Sequence, residues 1–321
     1  MRPHTWSKPK PLIALAGKTV LDYVLEQFSS LPKNLEIEYI FIVGPIQLDQ
    51  IQAHMHQNYP ELKVQFVVQE KMRGQSDALY LAREHLNGPM LMTFSDTLIE
   101  TDLSQIGQCT LDGVAWVRQV PDPRRFGIAQ LNPEGYITRL IEKPQDMTNN
   151  LALVGFYYFK QAENLIEAIA EQVVRNLTLK NEFFLADAIN ILLEQGAIMR
   201  PQPVEVWMDA GTPDTLLETN RYLLEHGHDN SAEAVRSYPG VAILPPVFVS
   251  PKAKIEASVI GPHVSIGEDC YLNQVVVANS ILEEGANVQH MILDGSHLGR
   301  DVQVHGQITR LSLGDQSSAM S

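Results

Sequence analysis

A change of period about two thirds of the way along the chain limits its fold more than any other feature. From residue 19 to about 227, apolar runs of strand length alternate with helical spacings, the pattern of an α/β domain with a largely parallel sheet. Val20, Leu21, Val24, Leu25 and Phe28 repeat at helical spacing and lead into an apolar strand over 39–43, ended by Gly44-Pro45. A strand over 64–68, a helix through Ala78, Leu79, Leu81 and Ala82, and a strand over 90–94 that stops at Ser95-Asp96 continue the alternation. Ligands of open α/β sheets bind beyond the carboxyl ends of strands, which singles out Asp96.

Residues 228–240 read as a polar linker, and from Val241 the period changes. Aliphatic residues recur about every six positions: Val249, Ile255, Ile260, Ile266, Leu272, Leu282, Val288, Leu298 and Val304. The spacing resembles the hexapeptide repeat of left-handed parallel β-helices, in which stacked coils bury an aliphatic column. A short β-helix of roughly three coils over 241–310 is expected, with an irregular β-sandwich as the alternative. The coil is a surface through which copies of the chain could pair. The tail over 311–321 reads as disordered.

The chain has 321 residues, 45% of them hydrophobic and 19% charged, enough to bury a core in about two domains. Its apolar runs are shorter than a membrane span and its start has no signal-peptide pattern, so a cytoplasmic protein without a membrane partner is expected. Cys109 and Cys270 show neither disulfide nor zinc spacing and read as buried apolar residues. Against a formal net charge of -14, Arg2, Lys8, Lys10 and Lys18 form a basic island at the start. An island on an acidic body suits a phosphorylated small molecule and argues against nucleic acid. The plainer alternative is a solvated tail.

Four further runs carry chemistry. In 69–78, Gln69 and Gly74 stand at the end of a strand and the start of a helix, and a glutamine amide offers one donor and one acceptor, although on the residues alone a turn is the better reading. Asp96 in Phe94-Ser95-Asp96 and Asp209 in Trp207-Met208-Asp209-Ala210-Gly211-Thr212 are lone carboxylates, each readable as a turn or cap residue. The last run joins Arg125-Phe126-Gly127, Glu142-Lys143-Pro144 and Leu153-Val154-Gly155-Phe156-Tyr157. Its plain reading is surface strand ends.

Together with the opening run through Gly17-Lys18, these segments resemble, in order over 2–227, the sugar-1-phosphate nucleotidyltransferases. The resemblance implies a Rossmann-like nucleotidyltransferase domain over 1–227 and the reaction of an NTP with a sugar 1-phosphate to give an NDP-sugar and pyrophosphate. It makes Lys10 the triphosphate lysine, Asp96 and Asp209 the holders of Mg²⁺, and Gln69 and Gly74 the readers of uracil or thymine. Gly127, Glu142, Lys143, Gly155 and Tyr157 become the sugar-phosphate side. UTP or dTTP with glucose 1-phosphate are the substrates expected first. Ser95 stands where the family usually has glycine, and Gln75 where it commonly has threonine.

By the same resemblance the chain begins one residue after the arginine of the family's G-x-G-T-R loop, with Met1 in place of a leucine. The expectation is that the chain as written is inactive or poorly folded and that the genuine product extends upstream through a strand and that loop. The rival readings are a non-catalytic nucleotide-sugar-binding or regulatory subunit, and an acyltransferase using His263, His290, His297 or His305 of the repeat domain.

Overall fold

The structure, a computed structural model, describes residues 8–308. Met1, Arg2 and the tail from Leu311 lie outside the described residues. A hairpin of β1 (Ala14–Leu15) and β2 (Lys18–Thr19) precedes α1 (Val20–Glu26), β3 (Glu38–Val43), α2 (Leu48–Asn58) and β4 (Lys63–Val68). Then come α3 (Gln75–Leu81), β5 (Met90–Thr93), β6 (Thr97–Ile99), β7 (Gly113–Gln119), β8 (Gly127–Leu131), β9 (Ile137–Glu142) and β10 (Leu151–Phe159). They are followed by α4 (Ala162–Val174), α5 (Leu185–Glu194), β11 (Met199–Pro203), β12 (Trp207–Asp209), α6 (Pro213–Glu225) and α7 (Ser231–Ser237). No helix among the described residues is long and apolar enough to cross a membrane.

The chain divides into two compact units. The first, Arg2–Leu12 with Val20–Ala210, is the α/β unit. Its main sheet runs β11-β7-β10-β8-β9, with β5 on β10 as well. That sheet is mixed rather than largely parallel. β11 runs parallel to β7, while β10 is antiparallel to β5, β7 and β8. β3 and β4 form a separate parallel pair. Helices cover the sheet through the periodic faces that the sequence shows: Leu165, Ala168 and Ile169 of α4, and Leu185, Ala188, Ile189 and Leu192 of α5, join Ala115, Val117, Tyr157 and Phe159 in one buried cluster.

The second unit joins Ile13–Thr19 to the chain from Gly211 onward, so the boundary falls at Ala210 rather than near 227. Nor is 228–240 a linker. α7 packs Ala234 into the unit's core, and the Tyr238 hydroxyl donates to the carbonyls of Ser250 and Ala253. α6 starts at a capping box between Thr212 and Thr215 with Pro213 inside it. The hairpin is held by the Ala16 amide, which donates to Asn220 Oδ1 and Ser265 Oγ, both at 3.1 Å. At its turn Gly17 has φ +87°, and a Cβ there would stand 2.3 Å from the Phe248 ring.

From β13 (Ala242–Ile243) onward the strands stack in parallel. β13 leads through β16 (Val259–Ile260) and β18 (Tyr271–Ala278) to β20 (Asn287–Asp294) and β22 (Gln303–His305), with β15 (Lys254–Glu256) also on β18. A second ladder holds β14 (Val247–Val249), β17 (Val264–Ile266), β19 (Ile281–Leu282) and β21 (His297–Leu298). Each pass lies on the last, with Ile255 opposite Leu272 and Leu272 opposite Val288. These parallel ladders fit the expected β-helix, and the expected aliphatic column from Val249 to Val288 is buried in one cluster. Left-handed backbone recurs at Gln274 and His290, which stand in one register inside β18 and β20, and at Asp269 and Asp301 in the loops.

Candidate active site

One strand pair assembles the site. β12 lies antiparallel to β6 with Asp209 opposite Thr97, and the Ala210 amide donates to the Asp96 carbonyl at 2.9 Å. Two carboxylates far apart in sequence thereby reach one open cleft, whose walls also carry Gly127, Glu142, Gly155 and Tyr157. The glycines are there for space. Gly155 has φ +84°, and a Cβ on it would stand 2.5 Å from the Phe94 ring, two residues before Asp96. Gly127 faces Glu142 across β8 and β9, where a Cβ would come within 3.1 Å of Glu142 Oε2.

Lys10 approaches from a short turn at Lys10–Leu12 and donates to Asp96 Oδ2 at 2.5 Å. With 22% and 32% of their side chains exposed, both ends of this pair remain accessible to a charged ligand. Burial pushes the Glu142 carboxyl up, with the Asp187 charge adding and the Lys143 ammonium opposing. Asp187 is itself pushed up by burial. Lys143, with φ 47°, donates its amide to the Phe126 carbonyl at 3.0 Å. Its ammonium lies 3.7 Å from Glu142 and 5.0 Å from the centre of the Phe184 ring, outside the cleft lining.

Gln69 and Gly74 do not line the cleft. Gln69 is buried, and its amide donates to the Gly74 carbonyl at 3.2 Å and to Asp77 Oδ2 at 2.9 Å, while Arg73 pairs with the same carboxylate. Gly74 has φ +102° and leaves no room for a side chain, since a Cβ would stand 2.4 Å from the Phe183 carbonyl oxygen. In this structure both residues hold the start of α3. Of the basic island, Lys18 belongs to the other unit.

Sequence reasoning left Gln75, Trp207 and the start of α5 out of the site. Gln75 Oε1 and Trp207 Nε1 are buried without a hydrogen-bond partner on residues that line the cleft, and Phe126 packs edge-on against Trp207 at 4.9 Å. Both residues stand inside the motif runs, which was the available signal. Leu185 and Ala186 reach the lining only because α5 packs on the sheet.

A cation fits the donors. Asp96 and Asp209 are hard oxygen donors of the kind Mg²⁺ takes in ones and twos, completing its shell with water and phosphate. No cluster of three or more His, Cys, Asp or Glu suited to a metal occurs among the described residues.

The histidines of the second unit stand apart from one another in role. His263 takes left-handed φ between β16 and β17, His290 takes it inside β20, His297 is buried against Glu283 at 2.9 Å, and His305 ends β22. Cys270 is buried, and burial pushes its thiol up to about 11; Cys109 is only partly buried.

The family model described as nucleotidyl transferase matches residues 1–226. A glucose-1-phosphate thymidylyltransferase of Streptomyces griseus is 27% identical across 99% of this chain and 95% of its own length. The bifunctional protein GlmU of Methanocaldococcus jannaschii is 31% identical, with 70% of this chain spanning 52% of that protein. Among solved structures, a nucleoside-diphosphate-sugar pyrophosphorylase from Vibrio cholerae superposes with a TM-score of 0.58 at 19% identity, over 68% of this chain and 93% of that one, a likeness of fold. With a cleft whose two aspartates are joined by β6 and β12 and a family match over most of its length, the chain belongs to the nucleotidyl transferase family, a family of transferases.

Proposed function

We propose that the chain transfers a nucleotidyl group from dTTP or UTP to a sugar 1-phosphate, glucose 1-phosphate first, in the cytoplasm. The sugar-phosphate oxygen attacks the α-phosphorus, the bond from that phosphorus to the β-phosphate bridge breaks, and pyrophosphate leaves. The observation that carries the reading is that Asp96 and Asp209 line one cleft with Glu142 and Tyr157, and that Lys10 pairs with Asp96. Two polyanions must meet there. Mg²⁺ on Asp96 and Asp209 would offset their repulsion, and Lys10 would take a triphosphate oxygen in exchange for Asp96.

Glu142 serves the sugar hydroxyls, Lys143 at the rim meets the phosphate, and Gly127 and Gly155 let backbone approach the ring. Gln69 and Gly74 read the pyrimidine, with Gln69 giving up its bond to the Gly74 carbonyl as the base arrives. The thymidylyltransferase relative, aligned along nearly the whole chain, supports this donor. The stacked strands from β13 onward are read as a left-handed β-helix of hexapeptide repeats through which copies pair. The test is pyrophosphate release with Mg²⁺ and glucose 1-phosphate, offering dTTP, UTP, GTP and ATP in turn. Release with dTTP or UTP and the NDP-sugar in the mass spectrum are expected. Release with the purines alone, or with none of the four, would reject the reading.

A further inference from the structure

Among the described residues, Gln75 and Trp207 are the cleft-lining ones with a buried side-chain polar atom that lacks a hydrogen-bond partner, Oε1 of the amide and Nε1 of the indole. Leaving such an atom dry and unpaired destabilises a fold, and most buried polar groups are satisfied for that reason. An apolar side chain of similar length at 75 would avoid the penalty. The two atoms are also complementary. A carbonyl oxygen accepts a hydrogen and an indole N–H gives one, and every sugar hydroxyl can do both in return.

Both residues are held in place by their neighbours. The Ser76 amide donates to the Phe183 carbonyl at 3.1 Å, and the Phe183 amide donates to the Arg73 carbonyl at 2.8 Å. With Gly74 packed against the same carbonyl, the backbone on either side of Gln75 is tied to Phe183. The next residue, Phe184, carries the Lys143 ammonium over its ring, and Lys143 lies 3.7 Å from Glu142. Trp207 stands two residues before Asp209 on β12, with Arg118 donating to its carbonyl at 3.2 Å and Phe126 edge-on against its ring. Phe126 precedes Gly127, which faces Glu142. Two separate chains of contact thus lead from the unpaired atoms to the wall that carries Glu142.

Resting on the reading of this cleft as a sugar 1-phosphate site, we propose that Gln75 decides which sugar is accepted, its Oε1 taking a hydrogen bond from one sugar hydroxyl. A sugar with that hydroxyl gives the amide the partner it lacks. A sugar without it leaves a buried acceptor unpaired in the complex and is rejected, which is how a polar site discriminates far more sharply than an apolar one. Gln75 stands where the family commonly has threonine, a shorter side chain that can itself donate, so the selection belongs to this chain and not to the family at large.

Analogues of glucose 1-phosphate with fluorine in place of each hydroxyl in turn keep the size of the sugar and remove one donor at a time. Offered with dTTP and Mg²⁺, one of them should lose at least about tenfold in kcat/KM through Gln75. Gln75→Met, which keeps the chain length and removes the amide, should erase that loss and leave the losses of the other analogues within about twofold of their former size. Gln75→Glu keeps an acceptor oxygen and should retain the whole pattern. A pattern that Gln75→Met leaves unchanged overturns the proposal. Without ligand, Gln75→Met should melt no lower than the unsubstituted protein, because the atom it removes has no partner in the fold. A lower melt, or a variant that does not fold, assigns the amide to the fold and overturns the proposal as well. Calorimetry with the same analogues and no nucleotide separates this inference from the proposed reaction. Binding that follows the Gln75 pattern without any pyrophosphate release overturns the reaction alone, release that is indifferent to Gln75 overturns this inference alone, and neither binding nor release overturns both.

Discussion

In the second unit each strand lies on the next pass of the same chain, Val259 opposite Val276 and Val276 opposite Ile292. In the α/β unit the sheet order β11-β7-β10-β8-β9 joins stretches that are remote in sequence. The first arrangement is a repeat, so one local pattern serves every pass and the ladder continues wherever the pattern does. The second is a topology. Its site exists only where non-neighbours meet. Stability should therefore be concentrated in the column of the second unit, and chemistry in the contacts of the first.

The largest test of that contrast strikes the column. Leu272 is fully buried between Ile255 and Val288, so Leu272→Ala should cost about 2–5 kcal/mol in chemical denaturation. A loss under about 1 kcal/mol would mean that the column does not carry the unit. Asp209→Asn should do the reverse. It keeps the β12 pairing with β6 and should leave the melting curve in place while pyrophosphate release falls by about 10²–10³-fold. Turnover near the unsubstituted level with Mg²⁺ present would remove Asp209 from the chemistry.

Gln69→Ala probes a residue that belongs to both accounts. Removing its amide takes a donor from the buried Asp77 and should lower stability by about 1–3 kcal/mol with no nucleotide present. An unchanged melt would show that the contacts with Asp77 and Gly74 are not what holds this residue in place. If Gln69 also reads the base, preference for dTTP over ATP in calorimetry should disappear in the same variant.

The smallest effect is set by pH. Burial raises the Glu142 carboxyl in the fold above its ordinary 4.5. The folded state therefore holds this proton more tightly than the unfolded chain does. Its stabilising contribution is complete below the ordinary value and is lost as pH rises through the raised one. Glu142→Gln should melt slightly higher than the unsubstituted protein at pH 7 and converge with it below about pH 4.5. Thermal melts across that range decide the matter, and a variant that melts lower at pH 7 would show that the charge is stabilised in place.

Much of this was legible beforehand. The strands at β3, β4 and β5, the helices α1 and α3 and the buried aliphatic column all stand where the periods of the sequence put them, because each depends on spacings of a few residues. Asp96 was legible as a carboxylate at a strand end. Gly155 was legible only as a motif residue, since its reason, the Phe94 ring against its backbone, spans some sixty residues of chain. The expectation of a largely parallel sheet failed on β10, whose antiparallel partners are chosen by connection and not by composition. The linker expectation failed because α7 is polar along most of its length and buries little more than Ala234 and Ser231.

By itself the sequence determined that two kinds of structure follow one another, which residues can sit inside each, and that lone aspartates stand at candidate strand ends. Tertiary structure decided the rest. It took Ile13–Thr19 into the second unit through the Ala16 amide, Asn220 and Ser265, joined Asp96 to Asp209 through β6 and β12, and turned Gln69 toward Asp77. The division has one cause. Burial periodicity is written residue by residue along the chain, whereas a hydrogen bond or a close approach between distant segments depends on both partners and leaves no period in either.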